Sequence, residues 1–282
     1  MPTSEQAATL PAAFFLPIGA DSFQATHATQ GPWDPNAMHG GPPAALVATL
    51  LARRAAELSP TLRLARLSLD FLGGLPLGEL VAAVTVVRPG KRVALLDATL
   101  AAGGRTVLIG RGWFINASEA GDESPALLAG DLSGEVSALA PPPPLPPHEP
   151  PQRFFSAEHA FGYGQANEWR FTSGGFDQLG PGAAWSRPRV PLIAGEPLTG
   201  LQRLLILADA ANGVSGTLDW NDWVFIPPGL TVTLLREPVG EWTHLAARTT
   251  LGEDGIALSH GHLSDAQGPV ALVSQPVLVS RR

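Results

Sequence analysis

Apolar and polar positions alternate along several short stretches of the chain, and these stretches come in two similar sets. Leu67, Leu69 and Phe71 alternate with other residues in LSLDFLGGLPLGEL (67–80), and Leu230, Val232 and Leu234 do so in LTVTLLREPVGEW (230–242). A period of two is that of a strand with one buried face. Two further alternating runs follow in each half. The sets then close with AAGGRTVLIGRGWF (101–114) and DAQGPVALVSQPVL (265–278). Turn residues punctuate them: Pro89-Gly90-Lys91, Gly103-Gly104 and the GEDG of 252–255. An offset of 162–164 superposes the two sets, laying Pro76, Gly78 and Glu79 on Pro238, Gly240 and Glu241, and Gly104 on Gly268.

One apolar helix precedes the strands in each half. The first is expected over residues 43–58, with proline in its first turn and Ser59-Pro60 beyond its end. The second is expected over residues 200–211, opened by a Thr199/Gln202 capping box and stopped by Asn212-Gly213. Both are apolar nearly all round (ALVATLL, LLILADAA), so both must be enclosed. An enclosed helix with about five antiparallel strands, present twice, predicts an α+β tandem (double) hotdog, two antiparallel sheets each wrapped around a central helix.

Residues 141–151 (PPPPLPPHEPP) hold eight prolines in eleven positions, which suits a semi-rigid spacer; a ligand for an SH3-type domain is the alternative. The expected division is a first hotdog over 1–140, a linker over 141–152 and a second hotdog over 153–282. The first residues, MPTSEQAATLPAAFFLPIG, lack a basic segment and carry prolines in their apolar part, so they are expected to form an arm and not a signal peptide. No window is apolar over the length of a membrane span. A net charge of −7 argues against nucleic acid as a partner. The absence of Cys excludes thiolate metal sites and a cysteine nucleophile. Lys91 is the only lysine beside many Arg and Ala, a weak pointer to a bacterium; a cytoplasmic protein is expected.

Familiar catalytic signatures are missing. There is no G-x-S-x-G, P-loop or H-E-x-x-H, and GYGQAN (162–167) lacks the third glycine of a dinucleotide loop. His260 and His262 share one face of a strand, but no third metal ligand is suggested nearby, so no metal is expected. Two residues break the apolar pattern more pointedly. Asp209 follows LLILA in the last turn of a helix that must be buried, where an anion needs pairing, hydrogen bonds or a proton. Gln275 shares a strand face with Ala271, Val273 and Val277, where its amide needs partners. At offset 164, Gln275 lies on Arg111, which places different polar groups at one expected position of the two halves. Arg111 is a candidate for holding a carboxylate or phosphate, or for a structural ion pair. In WDPNAMHGGPPAALVATLL (33–51), Gly40 and Gly41 allow close backbone approach at a helix start, whose free N–H groups can bind a carbonyl. His39 beside them caps, donates to a ligand, or fills the turn.

HGGPPAAL, EWRFTSGGF (168–176), LADAANGVS (207–215), REPVGEW and ALVSQPVLV, in this order and spacing, resemble the thioesterase-like double-hotdog proteins related to type II acyl-CoA thioesterases. The resemblance spans essentially the whole chain. It implies acyl-CoA or acyl-carrier thioester hydrolysis by direct water attack, without a cofactor. Asp209 matches the family's catalytic Asp, and Gln275 its water-holding Gln. His39, Gly40, Gly41 and Arg111 are the substrate-binding candidates, with backbone amides near Gly40 and Gly41 facing the oxyanion. The family's third residue, a Ser or Thr, aligns with Pro227, which has neither a hydroxyl nor an N–H; Thr217, Ser215 and Ser274 are possible substitutes. A non-catalytic acyl-CoA or acyl-carrier binder is the alternative that Pro227 favours. A double-hotdog dehydratase pairing His39 with Asp209 is a third. A homo-oligomer, most simply a dimer, is expected.

Overall fold

Each half of the chain buries one helix in the curve of a sheet. A computed structural model describes residues 10–117, 141–147 and 161–282. Part of the expected N-terminal arm and the later residues of the linker lie outside them. The first half runs β1 (Phe15–Pro17), β2 (Ser22–Ala25), α1 (Gly41–Leu58), β3 (Leu62–Phe71), β4 (Glu79–Arg88), β5 (Val93–Ala102) and β6 (Arg105–Asn116). The second runs α2 (Gly162–Gln165), β7 (Asn167–Ser173), β8 (Gly182–Pro188), α3 (Gly200–Ala208), α4 (Ala211–Val214), β9 (Trp223–Ile226), β10 (Gly229–Leu234), β11 (Thr243–Leu251), β12 (Ile256–Asp265) and β13 (Gly268–Arg281). Neighbouring strands in each sheet pair antiparallel, in the order β1-β2-β4-β5-β6-β3 and β10-β13-β12-β11-β8-β7, and β3 pairs with β10, so the two curved sheets join edge to edge into one 13-stranded sheet. This is the expected double hotdog.

The helices form for the reasons the sequence suggests. Pro42 and Pro43 occupy the first turn of α1, where their missing N–H groups cost nothing, and Ala44 to Ala48, Leu51 and Ala55 are buried against the first sheet. The capping box of α3 is present: Thr199 Oγ1 accepts from the Gln202 N–H at 3.2 Å, and Gln202 Oε1 accepts from the Thr199 N–H at 2.9 Å. Gln202 Nε2 then donates to Thr49 Oγ1 at 3.1 Å, tying α3 to α1.

The end of α3 departs from expectation. The helix stops at Ala208, with Asp209 as its cap, and Asn212-Gly213 lies inside the separate turn α4. Its terminal carbonyls have tertiary partners: Tyr163 Oη donates to Ile206 O at 2.9 Å and Gln275 Nε2 to Asp209 O at 3.3 Å. Bonds of this kind replace the next intrahelical ones and end the helix early.

Residues 141–147 lie along the second sheet. Trp185 Nε1 donates to Pro143 O at 2.9 Å, and an Arg170 guanidinium N–H donates to Pro146 O at 2.6 Å. A polyproline stretch has free carbonyls and no N–H groups, so donors on β7 and β8 can fasten it. No described helix is long and apolar enough to cross a membrane.

Candidate active site

The N-terminus of α1 meets the C-terminus of α3, and glycine makes the contact possible. A Cβ on Gly41 would stand 2.1 Å from Ile206 O, and one on Gly40 would stand 2.6 Å from Asp209 Oδ2. The close approach that these glycines allow is therefore between helices. Their N–H groups are also spoken for: Gly40 donates to the Asp209 carboxylate, and Gly41 donates to His39 Nδ1 at 3.1 Å. Pro42 and Pro43 have none to offer. All four positions at the start of α1 are thus accounted for. The expectation that the Gly40 and Gly41 amides face an oxyanion is corrected accordingly: they face Asp209 and His39.

Asp209 is 5% exposed. The unfavourable dipole at the end of α3 is offset because the carboxylate also sits at the N-terminus of α1. Gln275 Nε2 donates to Asp209 Oδ1 at 2.9 Å, and Gln275 Oε1 accepts from the Asn212 N–H at 3.2 Å. His39 Nδ1 stands 3.3 Å from Asp209 Oδ2. Burial pushes the Asp209 carboxyl up to about 7, against the opposing pull of the Gly40 N–H and the Gln275 amide. Burial holds the His39 imidazole down to about 3, so His39 is neutral at ordinary pH. Because Nδ1 accepts from Gly41, the imidazole proton is assigned to Nε2.

His39 lies flat on Tyr163, with ring centroids 3.7 Å apart and planes 2° from parallel. A cavity of about 360 Å³ opens beside them, lined by His39, Asp209, Tyr163, Phe71, Phe176 and Asn212 and also by Trp33 and Trp220. Pro227 lines it too, and no Ser or Thr does so among the described residues. Sequence reasoning missed Tyr163, Asn212 and the two tryptophans. Asn212 Nδ2 donates to Phe225 O at 3.1 Å, which fixes β9 against the site.

The other candidates fall as follows. Gln275 is fully buried, behind Asp209 and away from the cavity lining. Ser215 bonds Ala211 O at 2.7 Å and Thr249 Oγ1 at 2.8 Å, Thr217 lines a small separate pocket, and Ser274 faces outward. His260 and His262 line a groove by β8 and β11 on the far side of the second sheet. Arg111 does not join the site. Its side chain is 51% exposed on the outer face of β6 and makes a bidentate pair with Asp97, both bonds 2.7 Å. The reason is register. Leu69 pairs with Gly110 and Val232 with Val273, which sets the halves 163 apart and lays Gln275 on Gly112. An offset wrong by one residue turns the side chain to the opposite face.

Fold and site together define a double-hotdog protein with a carboxylate at the junction of its two helices. Comparison with family models places an acyl-CoA thioesterase N-terminal domain over residues 29–115 and an acyl-CoA thioesterase C-terminal domain over residues 140–279. The chain belongs to this acyl-CoA thioesterase family. Among solved structures, a candidate thioesterase from Novosphingobium aromaticivorans DSM 12444 is 21% identical, with a TM-score of 0.67 over 96% of this chain and 99% of that one. A hot dog fold protein of unknown function from Alicyclobacillus acidocaldarius is 17% identical, with a TM-score of 0.65 over 95% and 97%. The acyl-CoA thioesterase II TesB2 of Mycobacterium marinum is 17% identical, with a TM-score of 0.63 over 95% of each chain. At such identities these likenesses speak for the fold alone. No curated protein matches the chain.

Proposed function

We propose that the chain is a cytoplasmic hydrolase that cleaves acyl-CoA or acyl-carrier thioesters by direct attack of water. The observation that carries this reading is the cavity whose lining brings together buried Asp209 and neutral His39. In this reading ionised Asp209 takes a proton from a water, and the water oxygen attacks the thioester carbonyl carbon. His39 Nε2–H stabilises the developing oxyanion. The tetrahedral species collapses with loss of the thiolate, which takes up the proton held by Asp209. Gln275 acts as a positioning residue: its two bonds hold the carboxylate and the Asn212 backbone in place. General-base help of this kind contributes about 10²–10⁴-fold.

A second reading, an acyl-CoA or acyl-carrier binder with little turnover, is favoured by one observation. Pro227 lines the cavity where the family resemblance calls for a hydroxyl. A panel of acyl-CoAs and 3-hydroxyacyl-CoAs of increasing chain length, with released thiol and enoyl absorbance both followed, decides between them. Thiol release supports hydrolysis. Tight binding without it supports the binder, and enoyl absorbance without thiol release supports a dehydratase.

Ile256, Leu258 and Leu278 expose apolar side chains on neighbouring strands, which supports a homodimer. Sedimentation at micromolar concentration showing only a species near 29.4 kDa counts against it.

A further inference from the structure

The cavity lining includes a stacked pair of tryptophans, Trp33 and Trp220, whose ring centroids lie 3.8 Å apart, next to exposed Asp34; Phe225 meets Trp33 edge-on at 4.9 Å. Two arginines are fastened over this rim. Strand β13 continues past the last pair it makes with β12, and its final residues pair with β9, placing Arg281 opposite Trp223. The Arg281 guanidinium stands 4.2 Å from the Trp223 ring centroid. Arg282 stands 5.2 Å from Trp220 and 5.6 Å from Trp33. Its Nε donates to Trp220 O at 2.9 Å, and its backbone N–H donates to Asp222 O at 3.1 Å. Both side chains are exposed. Neither forms an ion pair with a described carboxylate, although acids lie close by. Of these, Asp34 accepts from the Asn36 N–H and Asp219 from the Asn221 N–H and side-chain amide.

A guanidinium lying on an aromatic face keeps its edge N–H groups free, pre-oriented as a fork that matches a phosphate. The chain carries a net charge of −7, so a phosphorylated ligand needs local positive charge to dock. If the acyl group enters the cavity as proposed above, the rest of a CoA thioester has a way out past Trp33 and Trp220. Its phosphates then emerge beside the two arginines. We propose that Arg281 and Arg282 bind the phosphate groups of the coenzyme A nucleotide, and so select a CoA thioester over one without a nucleotide. This inference rests on the thioester reading of the cavity.

The test compares the full chain with its Arg281→Ala/Arg282→Ala variant. Free CoA is titrated by calorimetry, and hydrolysis is followed with an acyl-CoA and with the matching acyl-pantetheine. The variant is expected to bind CoA on the order of 10-fold more weakly, the loss of one charged hydrogen bond, and with a shallower dependence on salt. Its KM is expected to rise for acyl-CoA and to stay at the parent value for acyl-pantetheine. Equal CoA affinity in parent and variant overturns the proposal. So does an equal rise in KM for both substrates, which would mean that the rim itself has collapsed. If the double variant fails to fold, Arg282→Gln, which keeps the β9–β13 pairing, is put through the same titration. A parent that hydrolyses no thioester defeats the catalytic reading, while the CoA titration still decides the arginines.

Discussion

His39 Nδ1 and Asp209 Oδ2 face one another at 3.3 Å, where the start of one buried helix meets the end of the other. Nδ1 already accepts the Gly41 N–H, so the pair is attractive when Asp209 carries a proton and repulsive in part when it does not. Such a carboxyl takes and returns a proton readily. Asp209→Asn is therefore expected to lower hydrolysis by about 10²–10⁴-fold. Asn keeps the volume and an acceptor for Gly40 or Gln275, so the far-UV spectrum should not change. An Asn variant working at the parent rate removes Asp209 from the chemistry.

Gln275→Ala separates positioning from chemistry. The substitution leaves the buried Asp209 Oδ1 and Asn212 N–H without their partner, a cost of about 1–3 kcal/mol. For a chain of this size that lowers the melting temperature by about 2–4 °C per kcal/mol. The lost amide also helped to keep the Asp209 carboxyl from rising further, so the pH–rate profile should move to higher pH. A lower melting temperature with an unmoved profile would leave Gln275 a purely structural residue.

Gly41→Ala is expected to be far more damaging than Gly40→Ala. At Gly41 the new methyl meets the Ile206 backbone carbonyl at 2.1 Å, and the helices must part. At Gly40 the contacts are the Asp209 carboxylate and the tip of Phe71, which can turn aside. Overpacking costs about 1–3 kcal/mol, with backbone collisions at the upper end or beyond. Gly40→Ala should fold and lose activity, because the side chain that moves is Asp209. Thermal melts with rate assays on both variants check the order.

Strands and helices were legible because the apolar period is undisturbed along them, and Asp209 and Gln275 because each breaks that period. The same reading misplaced Arg111 because it laid the halves 164 apart where the pairing sets them 163 apart, and because a bulge interrupts the alternation that leads from Val107 to Arg111. Val107 and Val270 are the unpaired residues of matching bulges, since Leu100 and Ala101 pair with Leu108 and Thr106, and Leu263 and Ser264 with Ala271 and Pro269. A bulge keeps two residues on the same face in succession, so alternation carried across it points the wrong way. Tyr163 left no local sign. Its stacking on His39 and its bond to Ile206 O join segments far apart in sequence, and GYGQAN reads only as an incomplete dinucleotide loop. Trp33 and Trp220 sit in polar stretches with no period at all.

Pro227→Ser should raise hydrolysis. Position 227 lines the cavity, and Pro228 after it restricts the backbone at 227 to extended conformations whatever residue is there. The substitution thus adds a hydroxyl and an N–H without freeing the loop. One well-placed donor is worth up to about 10²–10³-fold in rate. A gain in kcat at constant CoA affinity supports a hydrolase limited by a missing donor. No gain, in a variant that folds normally, shows that donors at 227 are not limiting.

The pH dependence of rate and that of stability should run in opposite directions through the same group. Hydrolysis needs Asp209 ionised, so kcat/KM is expected to climb with pH and level off above about 7. Stability follows the other sign. The folded value, about 7, lies above the unfolded one, 3.8, so burial of the neutral carboxyl supports the fold fully below 3.8. That support is lost as pH rises through about 7, at a rate of at most about 1.4 kcal/mol per pH unit. His39 contributes with the reverse sense: its folded value, about 3, lies below 6.5, so its support is present above 6.5 and is lost as pH falls towards 3. Asp209→Asn removes the first dependence and keeps the second. Relative to the parent, the variant's melting temperature should therefore rise between pH 4 and pH 7 and hold constant above it, while its residual hydrolysis shows no step near 7. Melting curves that stay parallel across that range would mean that Asp209 does not titrate inside the folded protein as its burial requires.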